Sequence, residues 1–124
     1  MNIKLILFTS LIAASLAFVA TAGSVDDTDT DLIPDVFDNC SLVANGPAGQ
    51  DQLDADSDGF GNICDGDLDQ DGVVAGTDFG VFVGLFGSAG TAADFDGDGV
   101  VAGTDFGAFV ALFGSAPGPG ATAI

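Results

Sequence analysis

Apolar residues fall into three blocks separated by Asp-rich stretches. The first runs from Leu5 to Ala20 and is interrupted only by Thr9, Ser10 and Ser15. The other two are short and alike. Phe79, Phe82, Val83 and Phe86 stand at i, i+3, i+4 and i+7, and Phe106, Phe109, Val110 and Phe113 repeat that spacing. Such spacing lines one face of a helix. Phe and Val also favour strands, but the same helical spacing in both blocks decides for helix. Thr77 and Thr104 stand where an N-cap is needed, each followed by an Asp favourable in a first turn. Gly87 and Gly114 are placed as stops. Gly80 and Gly84 weaken the first helix by about 1 kcal/mol each relative to Ala. Helices this short are marginal alone, so the two Phe faces are expected to pack on each other as a pseudo-symmetric pair.

The two blocks belong to an internal repeat. Residues 71–89 read DGVVAGTDFGVFVGLFGSA and residues 98–116 read DGVVAGTDFGAFVALFGSA, differing only at Val81/Ala108 and Gly84/Ala111. Residues 26–65 have another texture, rich in Asp and carrying Cys40 and Cys64. The ending PGPGATAI (117–124) is rich in Pro and Gly and is expected to be a disordered tail. The expected organisation is therefore 1–22, 23–66, 67–116 and 117–124, with no long linker between the middle two.

Residues 1–22 read as a secretory signal peptide. Lys4 is the positive start, Leu5–Ala20 the apolar run, and Ala20-Thr21-Ala22 the small-x-small cleavage pattern. A retained membrane anchor is the alternative, but the run is short for a span and no Lys or Arg flank follows it. Export places the mature chain outside the cytoplasm, in the medium, on the cell surface or in a periplasm. There calcium is plentiful and thiols oxidise. If Cys40 and Cys64 pair within the chain, only one connectivity exists; two free thiols or a bridge between chains are the alternatives.

Charge narrows the chemistry further. All 19 acidic residues are Asp, Lys4 is the only cation, His is absent and the net charge is −18. Nucleic-acid binding needs Lys and Arg to neutralise phosphates. Acid–base catalysis through His is excluded, and a zinc site lacks its usual ligands. No catalytic constellation is evident, so the expectation is a protein that is not an enzyme.

The Asp spacing is the strongest signal. Asp67, Asp69, Asp71 and Asp78 fall at positions 1, 3, 5 and 12 of a loop with Gly72 at 6; Asp94, Asp96, Asp98 and Asp105, with Gly99, repeat it. This is the register of an EF-hand calcium loop. Alternating carboxylates converge on one point, Gly allows the sharp turn, the carbonyl of Val73 or Val100 adds an oxygen at position 7, and the acid at 12 closes the shell. Position 9 is Ala75 or Ala102, which leaves that vertex to water. Upstream, Asp54, Asp56, Asp58 and Asp65 hold the same positions, with Gly59 at 6 and the carbonyl of Phe60 at 7. Asp27, Asp29, Asp31 and Asp38 make a fourth loop, with Leu32 at 6, Ile33 at 7 and Asp35 as a candidate extra ligand. A solvated acidic surface would not need Asp rather than Glu, odd spacing, or Gly at 6. An all-oxygen cage suits calcium better than magnesium, and two to four ions are expected.

Two carboxylates 4 Å apart repel by about 4 kcal/mol at an effective dielectric of 20. Past Lys4 no Lys or Arg offsets this. The expected fold class is thus a small calcium-dependent domain, mostly α and irregular. Asp-rich loops stapled by one disulfide lead into a duplicated EF-hand-like loop–helix pair. Binding free energy becomes folding free energy in such a chain.

Two family resemblances rest on these residues. DTDTDLIPDVFDNC (27–40) with QLDADSDGFGNICD (52–65) resembles the thrombospondin type 3 repeat. That resemblance implies calcium-loaded loops, little regular structure, a Cys40–Cys64 bridge and an extracellular adhesion or matrix setting. Residues 67–116 resemble a dockerin type I domain. That implies two calcium loops, each followed by a helix, docking onto cohesin modules of scaffold proteins, often in polysaccharide-degrading assemblies. It also implies that Gly76-Thr77 and Gly103-Thr104 help to choose the cohesin. Dockerin helices usually carry basic and polar residues where this chain has Gly, Val, Ala and Leu.

Two functions compete. One is a secreted calcium-binding interaction module with a cohesin-like or cell-surface protein as partner, or a second copy of itself. It would bind no nucleic acid and would not insert in a membrane after signal cleavage. The other is a calcium-stiffened spacer or surface protein without a specific docking partner. Val81, Leu85, Ala108 and Leu112 lie off the Phe face; their exposure would favour docking and their burial the spacer.

Overall fold

The computed structural model describes residues 25–47 and 50–119. The signal peptide expected at 1–22 lies outside the described residues. Among the described residues no helix is long and apolar enough to cross a membrane. Regular structure is sparse: a 3-10 turn at Asn62–Cys64, helix α1 at Gly76–Leu85 and helix α2 at Gly103–Leu112.

Both helices form where the spacing placed them, but they are capped differently. The N-caps are Ala75 and Ala102, and Thr77 and Thr104 lie inside the first turn. The cap is served from position N3. Asp78 Oδ2 accepts the Ala75 N–H at 2.7 Å, and Asp105 Oδ2 accepts the Ala102 N–H at 2.7 Å. An N3 acid that reaches back satisfies a donor the helix leaves unpaired. Each helix ends as expected. Gly87 and Gly114 follow the C-caps at φ 83° and 87°, a left-handed geometry that costs other residues a Cβ clash.

The Phe faces meet as expected: Phe79 lies 6.1 Å from Phe106 and 6.0 Å from Phe109, and Phe82 lies 6.1 Å from Phe106. Only Phe82 and Phe109 enter the core, where they join Phe95, Val74, Val101 and Ala93. Phe82 stacks on Phe95 at 6.1 Å and on Phe109 at 5.4 Å. Leu85, Ala108 and Leu112, set off the face in the sequence reading, pack against this core together with Leu68. Phe79, Val83, Phe86, Phe106, Val110 and Phe113 stay partly exposed, with Phe86 edge-on to Phe82 and Phe113 edge-on to Phe109. A buried Phe contributes roughly 1.5–3 kcal/mol, so two helices of 10 residues are held mainly by the three-ring stack.

Backbone bonds then interlock the two copies. Gly87 N–H donates to Val101 O at 2.8 Å and Val101 N–H to Ser88 O at 2.9 Å. In the other direction Gly114 N–H donates to Val74 O and Val74 N–H to Ser115 O, both at 2.8 Å. The loop of each copy is therefore sewn to the helix end of the other, and the valines that carry these bonds are buried.

The upstream half rests on this pair. Cys40 and Cys64 form a disulfide with Cα atoms 5.8 Å apart, which realises the single intrachain connectivity. Closing that loop is worth about 3 kcal/mol in the chain-entropy account. Asn62 Nδ2 donates to Thr91 O at 3.1 Å and to Asp94 O at 3.2 Å. The Gln50 side-chain amide donates to the Phe95 carbonyl. Gly66 sits so close to Val74 that an added Cβ would lie 3.0 Å from Val74 Cγ1. The Pro/Gly tail, expected to be disordered from Pro117, is tied down over its first residues. Gly118 N–H donates to Cys64 O at 3.2 Å, and Pro119 O accepts the Ser41 N–H at 3.0 Å.

Candidate metal centre

All four Asp loops share one backbone form. Position 6 has positive φ in each: Leu32 (81°), Gly59 (101°), Gly72 (94°) and Gly99 (97°). Position 4 does too, at Thr30 (63°), Ser57 (64°), Gln70 (60°) and Gly97 (70°). These kinks turn successive backbone N–H groups inward. The position 6 N–H donates to Oδ2 of the first Asp: Leu32 to Asp27 at 3.2 Å, Gly59 to Asp54 at 3.1 Å, Gly72 to Asp67 at 2.7 Å and Gly99 to Asp94 at 3.0 Å. The position 7 N–H donates to Oδ1 of the position 5 Asp: Ile33 to Asp31 at 2.8 Å, Phe60 to Asp58 at 2.9 Å, Val73 to Asp71 at 3.0 Å and Val100 to Asp98 at 2.9 Å. At least one oxygen of every position 1 and position 5 carboxylate is thereby fixed by its own loop.

The carboxylates also gather. Asp27 with Asp29 and Asp31, Asp54 with Asp56 and Asp58, Asp67 with Asp69 and Asp71, and Asp94 with Asp96 and Asp105 each bring ligand atoms within 4.8 Å of one another, close enough to share one cation. In the last loop the acid of position 12 joins the tight group and Asp98 stands outside it. In the other three, Asp38, Asp65 and Asp78 stand outside. Asp78 and Asp105 are fully buried. They bind the helix start to the loop, since Asp78 Oδ1 accepts the Asp69 N–H at 3.0 Å and Asp105 Oδ1 accepts the Phe95 N–H at 2.8 Å.

Three carboxylate oxygens are buried with no protein partner: Asp29 Oδ2, Asp38 Oδ2 and Asp94 Oδ1. Orphaned buried oxygens are costly, and a cation that they coordinate removes the cost. Burial holds the Asp29 carboxyl above the ordinary carboxylate range, aided by the charges of Asp31, Asp38 and Asp27. Burial pushes Asp65 further, to about 7, with Asp58, Asp56 and Asp67 adding repulsion. Asp65 nevertheless accepts the Asp67 N–H at 2.9 Å, so the end of one loop is fastened to the start of the next. Asp35 is braced against Thr28, whose N–H (2.7 Å) and hydroxyl (2.6 Å) both donate to it. That hydroxyl bond, ahead of the backbone one, holds its carboxyl below the ordinary range.

The spacing of acids did not reveal the amides that hold the first loop. Asn45 N–H donates to Asp31 Oδ2 at 2.8 Å, and Gln52 Nε2 donates to Asp38 Oδ1 at 2.9 Å. The signal available was the set of amide side chains between the cysteines, Asn45 and Gln52 with Asn39 beside Cys40.

Leu32 is the strained member of the position 6 set. A bulky residue at positive φ costs roughly 1–2 kcal/mol, and its side chain is 80% exposed, so little packing offsets the strain. L32G is expected to stabilise the protein by about 1 kcal/mol, read as a rise in thermal midpoint; an unchanged or lower midpoint would contradict the strain.

Comparison with known proteins follows the same residues. A family model for the thrombospondin type 3 repeat matches residues 26–47 and 53–78, which takes in the loops starting at Asp27, Asp54 and Asp67. No curated protein sequence matches the chain at a significant level. Among solved structures, a "Type II cohesin-dockerin domain from Bacteroides cellolosolvens" is similar, with 35% identity, 41% of this chain and 85% of that chain covered, and a TM-score of 0.39. The chain is thus similar to thrombospondin type 3 repeats over its Asp loops, and to that cohesin-dockerin structure over 41% of its length.

Proposed function

We propose that this chain is a secreted calcium-binding interaction module, in which calcium folds the Asp loops and the folded loops hold out an apolar docking face. Calcium would be held by the side chains at positions 1, 3, 5 and 12 and the carbonyls of Ile33, Phe60, Val73 and Val100, as in EF-hand loops. The observation that carries the reading is the shared form of the four loops, with buried carboxylate oxygens left unpartnered at Asp29, Asp38 and Asp94. The match to the thrombospondin type 3 repeat over three of the loops supports the same ion. Calorimetric titration should find two to four calcium ions per chain, with magnesium binding far more weakly. A chain that takes up no calcium at millimolar concentration overturns the proposal.

Leu85, Ala108 and Leu112 pack against the core, which counts for the spacer; the docking part rests on the half-exposed Phe rings. Phe79 and Phe106 are 42% and 43% exposed, and Phe86 and Phe113 are 57% and 55%. Large apolar side chains clustered on a surface invite a partner. The dockerin resemblance of residues 67–116 names a cohesin-like module as the first candidate. Against a panel of immobilised cohesin modules in calcium, binding is expected, and F86D with F113D should weaken it by about 2 kcal/mol or more if these rings are hot spots. Binding that ignores both substitutions removes this face from the interaction. No binding to any cohesin favours the calcium-stiffened spacer.

A further inference from the structure

The first Asp loop is the one without Gly at position 6, and its closing acid is the one of the four that accepts a side-chain amide. Asp78 and Asp105 are fixed by backbone N–H groups at helix starts, and Asp65 by the N–H of Asp67. Asp38 is fully buried. Its Oδ1 accepts the Cys40 N–H at 2.9 Å and the Gln52 side-chain amide at 2.9 Å, while its Oδ2 has no partner. Gln52 is itself locked. Its Oε1 accepts the Asn39 N–H at 2.7 Å, and its Nε2 also donates to Asn45 Oδ1 at 2.6 Å. Asn45 in turn donates its side-chain amide to Asn39 Oδ1 at 2.7 Å and its backbone N–H to Asp31. Gly61 closes the network. A Cβ there would lie 2.5 Å from Asn39 Oδ1 and 2.7 Å from both Asn45 Nδ2 and Cys40 Sγ.

We infer that Gln52 is a positioning residue for the first cation site: it binds one oxygen of Asp38 so that the other is presented to the ion held by Asp27, Asp29 and Asp31. The site is composite. Its acids lie before the disulfide, and the amide that aims its closing ligand lies inside the disulfide-closed segment. Groups that orient a ligand from behind are commonly worth ten- to a hundredfold in metal affinity.

This inference rests on the calcium reading above, and the experiment separates the two. Calcium titration calorimetry on the full mature chain compares wild type with Q52A, Q52E and D38N, alongside thermal unfolding in saturating calcium. Q52A is expected to weaken one site by about ten- to a hundredfold and leave the rest at their native affinity. Q52E keeps the shape and the acceptor for Asn39 but removes the donor and adds a charge beside Asp38, so its loss should exceed that of Q52A. D38N should weaken the same site. Wild type that binds no calcium defeats the calcium reading itself. If wild type binds but Q52A and Q52E keep every site, Gln52 does not position the ligand. If both weaken all sites together and lower the unfolding temperature in proportion, its role is general packing and the inference falls. Full affinity in D38N removes Asp38 from the shell and overturns the inference too.

Discussion

Excess EDTA added to the calcium-loaded protein should abolish its helical circular dichroism, and calcium should restore it. Each loop gathers three carboxylates whose ligand atoms lie within 4.8 Å of one another, and a pair at about 4 Å repels by about 4 kcal/mol at a dielectric of 20. The described chain has no cation to answer them, because Lys4 is the only one in the sequence. The helices fall with the loops, since Asp78 and Asp105 belong to both: the same carboxylates cap the helix and bond the loop backbone. The Cys40–Cys64 bridge persists, so the chelated form should keep one covalent loop while losing the Phe82–Phe95–Phe109 stack. Because the ion binds the folded state far better than the unfolded one, the midpoint should climb with calcium concentration. A spectrum and a protease resistance that stay the same in EDTA would overturn this account.

Asp65 should make the ion-free fold less stable above neutral pH. Its carboxyl is pushed up to about 7 by burial first and then by Asp58, Asp56 and Asp67. In the unfolded chain it titrates near the ordinary 3.8. The raised value means that the ion-free fold prefers the protonated acid. That preference is complete below pH 3.8 and is lost as pH rises through about 7. Calcium held at Asp65 would need the carboxylate. D65N should therefore stabilise the ion-free fold at pH 8 yet weaken calcium binding there by at least tenfold. In EDTA, the helical circular dichroism that remains in wild type should fall as pH rises through about 7, and D65N should flatten that fall. The same pH profile in both proteins, or a D65N variant that binds as tightly as wild type, would contradict this assignment.

The loops were legible because their turn geometry is written in side-chain identity at fixed offsets. Asp at 1, 3 and 5 and Gly at 6 announced four turns, and all four fold alike even where Leu32 breaks the rule. The helices were legible for a similar reason, and so was the meeting of their Phe faces, but the depth of burial along each face was not. α1 reads GTDFGVFVGL and α2 reads GTDFGAFVAL. Neither has a polar side past its first turn, so the 3.6-residue period marks a helix without saying which arc is buried. The choice is made elsewhere, by Val74 and Val101 pairing across the copies and by Phe95, which lies outside both helices. Phe95 stands 27 residues after Leu68 in the repeat, and both pack in the core; reading position 2 of the loops as an apolar position would have found them. The Asn–Gln network stayed hidden because its members are brought together by the disulfide-closed fold and follow no fixed spacing.

The crosswise sewing of Val74 to Gly114 and Ser115, and of Val101 to Gly87 and Ser88, has an evolutionary corollary. One copy alone offers a donor edge and an acceptor edge that it never joins to each other. Two separate peptides, each with a single copy, have every partner the exchange requires. The duplicated gene thus carries, fused into one polypeptide, what an ancestral half would have had to assemble as a two-fold pair.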